Sequence, residues 1–119
     1  MKSTILFVDD ELINLFVLEK RFEEEYYVLT AQSGQEALQK INEHRDSLSA
    51  IISDLRMPEM SGLELIQKLK TEIDIPCFLL TGYDNHEQIK EAIESKMVYC
   101  QFKKPFDYNE IHQTLQEVL

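Results

Sequence analysis

Five short apolar runs, each followed by a segment of helical periodicity, recur from end to end of this 119-residue chain. The runs are 4–8 (TILFV), 26–30 (YYVLT), 50–53 (AIIS), 75–80 (IPCFLL) and 98–102 (VYCQF). They are rich in β-branched and aromatic residues and read as strands. After them, apolar side chains return at helical spacing: Leu12, Leu15, Phe16 and the stretch 19–22; Ala37, Leu38 and Ile41; Leu65, Ile66 and Leu69; Ile89, Ala92 and Ile93; Ile111, Leu115 and Val118. Each set predicts an amphipathic helix with one buried stripe. Strict alternation implies a parallel sheet with helices on both faces, because parallel neighbours need crossover connections.

The first, third and fourth runs are apolar at nearly every position, as strands covered on both sides must be. The second is bracketed by Glu23, Glu24, Glu25 and Gln32, and the fifth holds Gln101 and runs into Lys103 and Lys104, which marks both as edges. In such a sheet, chemistry gathers just beyond the carboxyl ends of the strands. Those positions hold Asp9 and Asp10 after the first strand, Asp54 after the third, Thr81 after the fourth and Lys104 after the fifth. The second strand ends in the chemically bland Ala31, Gln32 and Ser33.

If Asp9, Asp10 and Asp54 share one crevice, two carboxylates ~4 Å apart repel by about 4 kcal/mol at an effective dielectric of about 20. Three cannot all stay ionised without a cation or a raised pKa, and one lysine does not balance them. A divalent metal does. All-oxygen ligands that leave positions for water favour Mg2+ (or Mn2+) over Zn2+ and over a closed Ca2+ cage. A metal, an ammonium and a hydroxyl converging on one carboxylate suit phosphoryl transfer, where catalysis is mostly positioning and charge neutralisation. The carboxylate is then a nucleophile that becomes an acyl phosphate. Asp54, central in the sheet, is the better acceptor, which leaves Asp9 and Asp10 to the metal.

The net charge of −10, from 22 Asp and Glu against 12 Lys and Arg, falls on both halves, so no acidic tail accounts for it. A chain so charged repels phosphate backbones and anionic headgroups, which argues against nucleic acid and membrane surfaces as its partners. MKSTILFVDDE lacks a signal-peptide core, and no later stretch approaches the roughly 18 apolar residues of a membrane span. Cys77 and Cys100, far apart and outside any Cys-x-x-Cys pair, read as reduced, buried thiols. His44, His86 and His112 fall on separate helices without ligand spacing and read as surface residues, and Met57 and Met60 as loop and core packing. The expectation is a cytoplasmic protein of one domain, residues 1–119, with no output domain in this chain.

Four motifs stand in order, each at the carboxyl end of a strand: VDDE at 8–11, SDLRMPEMSG at 53–62, LLTGY at 79–83 and FKKPF at 102–106. With them the chain resembles, from about Ser3 to Val118, the receiver domain of bacterial two-component response regulators. The resemblance implies a flavodoxin-like, doubly wound α/β fold with five parallel strands in the order 2-1-3-4-5 and five helices. It implies that Asp54 is the phosphoacceptor, and that Asp10, with Asp9 partly through water, holds Mg2+ together with Asp54 and the backbone carbonyl of Arg56. Thr81 would donate its hydroxyl to one phosphoryl oxygen, and Lys104, the lysine directly before proline, would pair with another. The Lys104–Pro105 bond is expected to be cis. Pro58 and Gly62 would shape the loop after Asp54, the glycine by tolerating backbone angles other residues resist.

The same resemblance implies a signalling switch that catalyses only its own phosphorylation and dephosphorylation. A sensor histidine kinase, a phosphotransfer protein or a small phosphodonor would supply the phosphoryl group. The added charge would bias a two-state element toward a downstream protein, a fused output domain or a homodimer. The surface implied is the fourth helix, fifth strand and fifth helix, with Ile93, Tyr99 and Tyr108 as candidates. Arg56 and Tyr83, two residues beyond Asp54 and Thr81, flank the entry for hydrolytic water and are expected to lengthen the phosphorylated state. Gly82 should leave that entry open.

One position departs from the pattern. Many receivers place Tyr or Phe three residues before the lysine, and here that position is Gln101. Tyr99 falls on the same strand face by the period of two, and Phe102 on the opposite one. Three routes are open: Gln101 switches by hydrogen bonding, Tyr99 substitutes, or the signal leaves through the loop after Thr81 and the fourth helix. Other function classes fit less well. A phosphohydrolase of the haloacid dehalogenase type needs Asp-x-Asp on the first strand, whereas Asp9 and Asp10 are adjacent. An FMN-binding electron carrier needs a Ser/Thr/Gly-rich phosphate loop where this chain has DDELIN. A degenerate receiver that only scaffolds is opposed by the intact Asp54, Asp10 and Lys104.

Overall fold

The alternation read from the sequence is the architecture of the molecule, for which a computed structural model describes residues 2–82 and 87–119. The elements run β1 (Ser3–Val8), α1 (Leu12–Phe22), β2 (Tyr26–Ala31), α2 (Gly34–Glu43), β3 (Leu48–Asp54), α3 (Gly62–Leu69), β4 (Cys77–Thr81), α4 (Glu87–Glu94), β5 (Cys100–Lys103) and α5 (Tyr108–Val118). The five strands form one sheet in the order β2-β1-β3-β4-β5, and every neighbouring pair is parallel. The central strands are the three apolar ones, and β2 and β5 are the edges.

Side chains of a strand alternate between its two faces, and here each face has its own core. Ile5 and Phe7, Ala50 and Ile52, and Phe78 and Leu80 pack with Leu15, Leu18 and Phe22 of α1 and with Ile111 and Leu115 of α5. Their neighbours Leu6, Val8, Ile51, Cys77 and Leu79 pack with Ala37, Ile41, Leu65, Ile66, Leu69, Ile89 and Ala92, from α2, α3 and α4. Each buried Val, Leu, Ile or Phe among them contributes about 1.5–3 kcal/mol by leaving water. Two layers of helices thus clamp the sheet and leave its carboxyl edge as the free rim.

Several expectations need correction. On α1 the buried stripe is Leu15, Leu18 and Phe22, whereas Leu12 (64%), Ile13 (77%) and Phe16 (60%) are exposed. The sequence LINLFVL is apolar nearly all round, so periodicity alone admits more than one stripe. β4 starts at Cys77 rather than residue 75, after Pro76, which has no N–H to give the ladder but accepts from Ile51 N at 3.1 Å. β5 starts at Cys100 rather than residue 98, because the N–H groups of Met97 and Val98 turn back to the Ala92 carbonyl at 2.9 and 3.1 Å. Cys100 is half-buried, not buried like Cys77. Burial pushes both thiols up to about 11 and keeps them protonated at neutral pH.

His112 is not a bare surface residue. Its Nδ1 lies 2.8 Å from the Tyr26 hydroxyl and its Nε2 lies 3.2 Å from Glu25 Oε2. His44 is half-buried at the end of α2, and His86 lies outside the described residues. Met57 and Met60 pack against the core, as expected. No helix among the described residues is long and apolar enough to cross a membrane.

Candidate phosphoryl and metal site

The rim over β1, β3, β4 and β5 gathers the reactive residues. Asp9 follows β1 directly, and its N–H bonds the Ala31 carbonyl at 3.1 Å, which fixes its backbone to the end of β2. Its side chain is buried, 1% exposed. Oδ1 accepts the Glu11 N–H at 2.9 Å, and Oδ2 accepts from Asn14 Nδ2 at 3.1 Å and Lys104 Nζ at 3.4 Å. Asp10, next along, is exposed. Asp54 is the last residue of β3 and is buried. Each of the three acids offers a carboxylate oxygen within 4.8 Å of the others.

Lys104 reaches across from the end of β5. Its Nζ is 3.2 Å from Asp54 Oδ1 and 3.4 Å from Asp9 Oδ2, and its N–H bonds the Thr81 carbonyl at 3.0 Å. The Lys104–Pro105 bond is cis. Lys103 pairs in register with Thr81 and is exposed, so the cation facing the acids is the lysine before proline. Thr81 ends β4 and is buried, one register step beyond the Leu80 that pairs with Asp54. Beside it Gly82 is exposed, and among the described residues, its chain neighbours aside, no atom lies within 4 Å of where a Cβ would stand.

Burial pushes Asp54 above the ordinary carboxylate range; the charges of Asp9 and Asp10 add to this, and Lys104 opposes it. For Lys104 burial acts downward, but the Asp54 and Asp9 carboxylates outweigh it and hold the ammonium above its usual value. Burial is the main cause of the rise at Asp54, and the single ammonium of Lys104 does not offset it together with the Asp9 and Asp10 charges. The donors are all oxygen and partly open to water through Asp10, which fits a hard divalent cation such as Mg2+ or Mn2+.

The loop after Asp54 is held by close backbone packing. The Gly62 N–H bonds the Leu55 carbonyl at 2.8 Å, and Ser53 Oγ donates to the Asp54 carbonyl at 2.9 Å. A Cβ on Gly62 would overlap that carbonyl oxygen and lie 2.9 Å from Ser53 Oγ. Gly62 is therefore required by close approach, and the expectation that it supplies an unusual backbone angle is corrected. The left-handed residue of the loop is Glu59, with φ 69°. Pro58 is exposed, and its carbonyl takes the Met60 N–H at 2.7 Å. A capping box between Ser61 and Glu64 then starts α3.

Arg56 is exposed and lines, with Pro58, Ser61 and Gln88, a hollow of about 450 Å3 beside Asp54's strand. Tyr83 lies outside the described residues. Gln101 is half-buried and pairs with Leu79, two residues short of Thr81. Tyr99 precedes β5; its N–H bonds the Cys77 carbonyl at 2.8 Å, and its half-exposed ring packs 5.5 Å from that of Phe78. Cys77 opens the strand that Thr81 closes, so the Tyr99 backbone is roughly 13 Å from the rim by strand rise. Ile93 packs against the core, and Tyr108 stacks on His112. Sequence reasoning missed Asn14 and Ser53. Asn14 had one available signal, a lone polar residue in the apolar run 12–18.

Comparison with known proteins identifies the family and the fold. The family model described as the response regulator receiver domain matches residues 5–116. The chain is 34% identical over 119 residues to the transcriptional regulatory protein GlrR of Escherichia coli (strain K12), covering 97% of this chain and 26% of that protein. It is 35% identical over 121 residues to histidine kinase P4 of Formosa agariphila, covering 99% of this chain and 9% of that protein. The solved chemotaxis protein CheY4 of Vibrio cholerae superposes with a TM-score of 0.86 at 28% identity, with 100% of both chains covered. The chain thus spans about a quarter or less of the length of these curated relatives.

Proposed function

The chain belongs to the response regulator receiver domain family, and from that membership we propose that it is a phosphorylation-dependent switch whose phosphoacceptor is Asp54. The observation that carries this reading is the setting of Asp54: buried, with Lys104 Nζ at 3.2 Å and the Asp9 and Asp10 carboxylates beside it. An Asp54 oxygen attacks the donor phosphorus and forms a P–O bond. The P–N bond of a phosphohistidine breaks, and its electron pair leaves with the imidazole, which takes a proton from water. With a small acyl phosphate as donor, the bond broken is P–O and a carboxylate leaves.

Lys104 neutralises one phosphoryl oxygen and the Thr81 hydroxyl donates to another. Asp10, Asp54 and the Arg56 carbonyl, with Asp9, would hold Mg2+ or Mn2+, which would supply the remaining charge neutralisation when bound. Arg56 and Tyr83 screen the acyl phosphate from hydrolytic water. The phosphoryl group adds about −1.5 to −2 of charge to the crevice. Thr81 at the end of β4 and Lys104 just after β5 respond to it. Gln101 fits the relay better than Tyr99, whose ring packs on Phe78 at the far end of the strand.

The output face is α4, β5 and α5, used for a downstream protein, a fused output domain or a homodimer. The donor is a sensor histidine kinase or a phosphotransfer protein in the cytoplasm. Incubation with acetyl phosphate with and without Mg2+ tests the switch: the expected product is one hydroxylamine-labile phosphoryl adduct that requires the metal and is absent from Asp54→Asn. No adduct, together with no response to beryllofluoride, would instead support a scaffold.

A further inference from the structure

Asp9 is buried, yet neither of its oxygens is left to the metal and phosphoryl groups alone. Oδ1 is held by the Glu11 N–H, and Oδ2 is shared between Asn14 Nδ2 at 3.1 Å and Lys104 Nζ at 3.4 Å. The same ammonium stands closer to Asp54, at 3.2 Å. Lys104 therefore has two claimants, and a phosphoryl group on Asp54 strengthens one of them. As the ammonium turns to that group, the longer bond to Asp9 is the one that yields. A buried carboxylate that loses a partner must regain one or be destabilised.

Asn14 meets that need. It is the one polar residue of the run 12–18, and asparagine is a poorer helix former than the leucines around it, so its presence on α1 has no local structural advantage. It is half-buried and lines, with Asp9, Leu18, Leu80 and Lys104, a hollow of about 420 Å3 at the rim. Its amide donates to the one Asp9 oxygen that Lys104 also holds.

We propose that Asn14 is a positioning residue for the phosphoryl and metal site: its side-chain amide fixes the Asp9 carboxylate, so that Lys104 is released to the phosphoryl group while Asp9 keeps its place behind the metal. This rests on the reading of Asp54 and its neighbours given above. Partners that orient the groups around a metal typically account for about 10–100-fold of its affinity.

Mn2+ binding to the full chain, followed by the loss of the free-ion paramagnetic resonance signal, tests it in the parent, Asn14→Leu and Asn14→Gln. Asn14→Leu keeps the size but takes one hydrogen bond from the buried Asp9 carboxylate, so its urea midpoint without metal should fall somewhat, and the Mn2+ titration is run without urea, where circular dichroism shows each variant folded. The Mn2+ affinity of Asn14→Leu should fall about tenfold or more, and Asn14→Gln, which retains the amide, should recover most of the loss. In an Asp9→Asn background, Asn14→Leu should add nothing, since the carboxylate it positions is gone. A parent that binds Mn2+ and an Asn14→Leu variant that binds equally well overturn this inference alone. A parent that binds no Mn2+ overturns the site reading and this inference with it.

Discussion

Lys104 Nζ stands 3.2 Å from Asp54 Oδ1, and Asp54 is nonetheless held above the ordinary carboxylate range. Burial and the neighbouring Asp9 outweigh the one ammonium. A carboxyl whose folded pKa is raised contributes full stability below its unfolded value and loses it as pH rises through the folded value. At neutral pH and without metal the charged Asp54 therefore destabilises the fold. Asp54→Asn should raise the urea midpoint at pH 7, and the gain should shrink as pH falls toward about 4, the usual carboxylate value, and be gone below it. Mg2+ should narrow the difference by stabilising the parent. Equal midpoints at both pH values would contradict this.

The Asp54 carbonyl leaves no space at Gly62. The obstructing atom is backbone at the end of a central strand, which cannot turn aside as a side chain can. Gly62→Ala should destabilise by about 1–3 kcal/mol, as overpacked positions do. Gly82→Ala, where the Cβ meets nothing within 4 Å among the described residues beyond its chain neighbours, should stay within about 0.5 kcal/mol of the parent. Denaturant unfolding of the two variants side by side gives the comparison.

The Tyr26 hydroxyl is 2.8 Å from His112 Nδ1, and burial pushes Tyr26 up to about 12, with Glu25 and Tyr108 adding to the rise. The neutral phenol is the folded form. Its contribution is complete below about pH 10, the ordinary tyrosine value, and is lost as pH approaches about 12. Alkaline unfolding should therefore be shallower in Tyr26→Phe. At pH 7 that variant should lose about 0.5–1.5 kcal/mol for the missing hydrogen bond. An unchanged alkaline slope would contradict this assignment.

Tyr99 packs on Phe78, away from the rim. Addition of beryllofluoride with Mg2+ should shift the Gln101 side-chain amide resonances and leave the Tyr99 ring resonances in place. Movement of the Tyr99 ring would reinstate it as the switch residue.

Much of this was legible beforehand, for physical reasons. Alternating runs such as TILFV and AIIS admit one kind of sheet, and its carboxyl rim is where Asp9, Asp54, Thr81 and Lys104 meet. The order of the strands came from the family resemblance. Local periodicity could not say which side of LINLFVL faces the sheet, because that depends on how β1 hands the chain to α1; Leu18 is buried and Phe16 is not. The late start of β5 depends on hydrogen bonds from Met97 and Val98 back to α4, which leave no trace in composition. Gly62 was singled out for its backbone freedom, but it is needed for its missing side chain, and only the Asp54 carbonyl opposite reveals that. Asn14 and the His112 contacts to Tyr26 and Glu25 likewise require distant partners to be seen.

The most direct measurement locates the phosphoryl group. After reaction with acetyl phosphate and Mg2+, borohydride reduction converts an aspartyl phosphate into homoserine, which peptide mass mapping then finds in the sequence. The account predicts homoserine at position 54 and at neither position 9 nor position 10. Homoserine at 9 or 10, or at none of the three, would contradict it.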